Sequence, residues 1–119
     1  MEINEVAMGW VERWAYEVDD PKRDEFEWVD EFEYVATHEI PEVGLKLILA
    51  ILTLEPSSHL IKVLAAGPLE DLLANHGEKI IEKVESEAKT NSKFALLLSG
   101  VWQNSIPDKI WGRVQNICK

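Results

Sequence analysis

The sequence predicts an all-α protein on three observations. Apolar residues recur at spacings of three and four along nearly the whole chain, the repeat of a helix with one face toward a core. The gaps between those runs hold helix start and stop residues: Asp-Asp-Pro, Ile-Pro-Glu, Pro-Ser-Ser, Gly-Pro, Thr-Asn-Ser. Clean alternation of apolar and polar residues, the mark of a half-buried strand, is missing; the weak alternation over Phe26–Val35 is broken by its acidic residues.

The elements follow in order. Val6, Trp10, Trp14 and Val18 recur every four residues with Ala7, Val11 and Ala15 beside them, so a first helix is predicted over about Ile3–Val18. Asp19 or Asp20 then offers a side-chain oxygen to free backbone N–H groups, and Pro21 suits the first helical position, where no N–H is required. Phe26, Val29, Phe32 and Val35 carry this second helix to about Thr37. Pro41 opens a third. Its apolar run Val43–Leu54 contains Lys46 and is shorter than the ~20 residues a bilayer span needs, so it reads as a buried central helix.

Ser57 or Ser58 caps a fourth helix over His59–Ala66. Ile80, Ile81, Val84 and Ala88 mark another, with Glu78 and Glu82 early and Lys89 late, the order the helix dipole favours. Thr90-Asn91-Ser92 supplies caps for Lys93–Trp102, and Pro107 opens a last helix that buries Ile110, Val114 and Ile117 with Trp111 beside them. Seven or eight short helices with short connections make a compact bundle forming a single domain over residues 1–119; a short HEAT-like stack of helical hairpins is the alternative.

The segment Leu64–Gly77, LAAGPLEDLLANHG, invites a reading as a ligand loop. It has neither GxxxxGK[ST] nor GxGxxG, no strand precedes it, and Glu70 and Asp71 would repel an anion. It reads instead as helix punctuation. Gly67 ends one helix in a left-handed conformation, Pro68 begins the next, Glu70 and Asp71 meet its positive end, and Gly77 caps it.

These residues, with His76-Gly77, Gly100-Val101-Trp102 and Ile110-Trp111-Gly112-Arg113-Val114, resemble an uncharacterised bacterial domain family of small helical proteins. The likeness is strongest over residues 60–115. Where the family tends to carry an arginine soon after the phenylalanine matching Phe94, this chain has Lys93 before it and Ala95 following. The resemblance implies a helical fold and no particular activity.

Function is narrowed by charge. The net charge of −10 lies in one half: residues 1–60 hold 15 acidic and 4 basic side chains, residues 61–119 hold 7 and 8. The density peaks over Asp19–Glu33. Such a surface is repelled by phosphate backbones and anionic lipid, which points away from nucleic acid and membranes and toward a basic protein partner. A lone cysteine, Cys118, suits a cytoplasmic home, and the acidic N-terminus lacks the form of a signal peptide.

Candidate chemistry is sparse. His38, His59 and His76 are the three histidines, but His38-Glu39-Ile40-Pro41-Glu42 lacks the second histidine of a zinc HExxH motif. Cys118 sits at the chain's end, and Ser57, Ser58 and Ser99 stand in no nucleophile motif. No metal, cofactor or catalytic residue is expected. Paired carboxylates at helical spacing, Asp30–Glu33 and Glu27–Glu31, do acid–base work only where burial raises a pKa.

Of five tryptophans, Trp10, Trp14, Trp102 and Trp111 fall on predicted apolar stripes and are expected in the core. Trp28 lies off its stripe among acids, as an interface anchor does. The expectation is a non-enzymatic acidic interaction protein, in its most concrete form a toxin-neutralising, immunity-type protein. Its partner-binding residues are then Asp24, Glu27, Trp28, Asp30 and Glu31. A self-assembling structural domain is the alternative.

Overall fold

A computed structural model describes residues 2–118. It is all-α: no strand occurs among the described residues. The helices are α1 (Ile3–Ala15), α2 (Glu27–His38), α3 (Pro41–Thr53), α4 (Ser58–Leu64), α5 (Glu70–Thr90), α6 (Ser92–Leu98) and α7 (Asp108–Ile117). A 3-10 turn (Pro21–Phe26) leads into α2, and a π turn (Ala65–Leu69) joins α4 to α5. None of these helices is both long and apolar enough to cross a membrane.

The caps fall where the sequence places them. Asp20 Oδ1 accepts the Lys22 N–H at 2.9 Å beside Pro21, Ser57 Oγ accepts the Leu60 N–H at 3.3 Å, and Asn91 Oδ1 accepts the Phe94 N–H at 3.1 Å. The residues after Asp20 first wind as a tighter 3-10 turn, so α2 itself begins only at Glu27.

The bundle closes around α3 and α5. Leu47, Ile48 and Ile51 of α3 pack with Leu72, Leu73, Ile80 and Ile81 of α5, with Trp10 of α1 and with Phe94 and Leu97 of α6, all fully buried. Each large apolar side chain so buried contributes about 1.5–3 kcal/mol before chain entropy is counted. Helices α2 and α3 meet at backbone distance: a Cβ on Gly44 would stand 2.8 Å from the Ala36 carbonyl oxygen.

Three expectations are corrected. Gly67 and Pro68 do not separate two helices, because the chain stays helical from Ser58 to Thr90. Pro68 lacks an N–H, and the local widening to a π turn restores bonding around it: the Glu70 N–H reaches back five residues to the Ala65 carbonyl. Gly67 has no positive φ, and beyond its chain neighbours and its own helix backbone nothing lies within 4 Å of where a Cβ would stand.

Gly77 is not a terminal cap either. Helix α5 kinks at His76 (φ −135°, ψ 26°) and continues, and Gly77 admits α7, since a Cβ there would lie 2.8 Å from Ile110 Cγ1. Finally, α1 stops at Ala15 and α6 at Leu98, so the helical repeat no longer governs Val18 or Trp102. Both face solvent, 85% and 73% exposed, rather than the core. Trp10 is fully buried, while Trp14 and Trp111 are partly buried against the core.

Candidate functional site on the outer face of helix α2

Helix α2 sorts its residues by its own period. Val29, Phe32 and Ala36 turn inward, while Glu27, Asp30, Glu31, Tyr34 and Val35 are exposed. Glu27 and Glu31 are one turn apart, as are Asp30 and Tyr34, so carboxylates and a phenol occupy one stripe. Asp24, exposed on the preceding 3-10 turn, extends the acidic approach.

The stripe ends in an aromatic pair. Tyr34 is 60% exposed, and its ring stacks on His38 with centroids 4.1 Å apart and planes within 13°. His38 is held from behind. Its Nδ1–H donates to the Tyr34 carbonyl at 3.0 Å, and its own carbonyl accepts the His76 Nε2–H at 2.5 Å from the kink of α5. The kink thus has a job in this region: it turns a histidine of α5 onto the end of α2.

Carboxylates crowd beneath this face. Glu33 is part-buried, and its Oε1 accepts the Trp10 Nε1–H at 2.7 Å. Burial, more than any neighbour, raises its pKa from 4.5 to about 7; Asp30 and Asp71 push it further up, while the Trp10 hydrogen bond and Arg13 pull it down. Asp71 of α5 is also raised, by burial first, with His38 opposing and Glu70 adding to the rise. A cluster whose members raise one another's proton affinity gains from any cation brought to it.

The five sequence-predicted residues do not share one environment. Asp24, Glu27 and Glu31 are exposed. Asp30 forms an ion pair with Arg13 Nη2 at 2.7 Å and keeps its carboxylate half in solvent. Trp28 is turned under the bundle: a Cβ on Gly9 would lie 2.9 Å from its Cζ2. The exposed aromatic of this face is therefore Tyr34, which sequence reasoning passed over although it sits four residues from both Asp30 and His38. Nothing in the sequence points to Arg13, whose Nη1 also donates to the Arg23 carbonyl at 2.8 Å and ties α1 to the 3-10 turn.

Fold and face together define a small all-α protein with a carboxylate-rich helix surface ending in a stacked aromatic pair. The chain belongs to DUF6869, a family of unknown function, whose pattern it matches over residues 16–119. That match takes in every element after α1, a longer stretch than residues 60–115, where the sequence resemblance is strongest. No curated protein and no solved structure matches the chain.

Proposed function

We propose that the protein is a non-enzymatic interaction module that binds a basic protein partner through the outer face of α2. The observation carrying this reading is the placement of Glu27, Asp30, Glu31 and the exposed Tyr34 along one helix stripe. Long-range attraction by the carboxylates sets the rate and orientation of encounter. A tyrosine held by a stacked neighbour supplies the anchor, since it gives contact area at small entropic cost. Toxin neutralisation, in which an acidic protein covers a cationic active site, is the most concrete form of this function, and the cytoplasm is its natural setting.

The experiment is affinity capture from the protein's own cell with the wild-type chain and with the triple variant Asp24→Lys, Glu27→Lys, Glu31→Lys. These three side chains are exposed, so the fold tolerates their reversal. A basic protein recovered by the wild type and lost by the variant is the expected outcome. Equal recovery by both ends the proposal.

A second reading, self-association, is favoured by one observation: Trp102 and Leu96 are 73% and 72% exposed. Sedimentation at high micromolar concentration decides it. A dimer that Trp102→Ser abolishes supports this reading, and a monomer removes it.

A further inference from the structure

A different set of residues builds a cleft of about 320 Å³ between the end of α1, the 3-10 turn and α4. Trp14 and Tyr16 supply aromatic walls, Val63 an apolar one, and Arg23 and His59 bring the nitrogen donors, with Glu17 also lining the space. The Arg23 guanidinium lies 4.5 Å from the centroid of the Trp14 ring. Its own carbonyl is pinned to α1 by Arg13, so the arginine is carried on a fixed piece of backbone.

The unusual feature is what Arg23 lacks. Asp19, Asp20, Asp24 and Glu25 surround it in sequence, yet among the described residues no carboxylate lies within 4.0 Å of its guanidinium. Its Nε and the Nε1 of Trp14 are sealed from solvent without an acceptor among the described residues, so the charge of the guanidinium, not these two donors, is what the cleft presents. Aromatic walls and a guanidinium call for an apolar body with an anionic head.

We propose that this cleft binds a small monocarboxylate with an aromatic or branched apolar body. The carboxylate accepts from Arg23, and the body lies between Trp14 and Val63. Glu17 in the wall and the acidic charge around it oppose any anion in proportion to its charge, so polyanions such as nucleotides are disfavoured far more than a monocarboxylate held by Arg23. The cleft shares no residue with the α2 face, so either proposal stands or falls without the other.

The test titrates the ¹⁵N-labelled full-length protein with phenylacetate, isovalerate and indole-3-acetate, following the Trp14 indole N–H resonance. Trp14→Phe assigns that resonance. At least one of the three acids should shift it saturably, and the matching neutral amide should bind at least about tenfold more weakly, the discrimination a charge-assisted hydrogen bond gives. Arg23→Gln should weaken the acid by a similar factor, and Val63→Phe, which fills the cleft without changing charge, should block it. The acid-to-amide comparison uses the wild-type chain alone and so does not depend on any variant folding. No shift with any of the acids, or equal binding of acid and amide, overturns the proposal.

Discussion

Glu33 is the residue on which burial and charge conflict most openly. Its pKa is raised from 4.5 to about 7, so the folded chain holds a proton there that the unfolded chain releases. The contribution of Glu33 to stability therefore falls as pH climbs from about 4.5 to about 7, and the whole cost, about 3 kcal/mol, is present at pH 8. Asp71 is shifted in the same direction and adds to the slope. Glu33→Gln keeps an acceptor for Trp10 Nε1 and removes the charge. It should stabilise the fold at pH 8 and change little at pH 4.5, as read by urea unfolding at both values. A loss of stability at pH 8 would show the carboxylate to be favourable where it lies. At this scale the sequence was only half legible: Asp30–Glu33 stood out as a carboxylate pair at helical spacing. Its raised proton affinity depends on burial beside Trp10, 23 residues away, and on the charge of Asp71 of α5, neither of which a local pattern encodes.

At the scale of elements, punctuation is legible where one residue decides the outcome and misleading where the tertiary fold overrides it. Asp20, Ser57 and Asn91 cap as their chemistry requires, because capping is local. The Gly67-Pro68 pair is a strong local stop signal, yet helix runs through it. Leu64, Leu69, Leu72 and Leu73 on either side are all fully buried, and stopping there would take some of them out of the core. The two readings differ at one position. A left-handed cap glycine replaced by alanine costs about 1 kcal/mol or more, whereas a helical glycine gains about 0.5–1 kcal/mol, a gain offset here by the restriction Pro68 places on a Cβ-bearing residue before it. With a negative φ and nothing beyond its chain neighbours and its own helix backbone within 4 Å of the added Cβ, Gly67→Ala should not lower the melting temperature. A lowered one would restore the stop-and-start reading. Val18 and Trp102 fall outside the core for a related reason: a periodic stripe does not say on which turn the helix ends.

Across the whole molecule, helix class and the placement of charge were plain from the sequence, while the division of labour among the acids was not. Chain topology decides that Asp30 pairs with Arg13, that Glu33 goes under the bundle, and that Asp24, Glu27 and Glu31 stay exposed on the outside. It also exchanges Trp28 for Tyr34 as the exposed aromatic of that face. The arginines of the acidic half are drawn into structure, Arg13 against Asp30 and Arg23 over Trp14. The most direct measurement of the α2 face is the association rate with the captured partner as a function of ionic strength. It is made for the wild type and for the variant reversed at Asp24, Glu27 and Glu31. The expected result is a wild-type rate at least about tenfold faster at low salt, falling steeply and meeting the variant's flatter curve as salt screens the charges. Two curves that coincide across the whole salt range would contradict it.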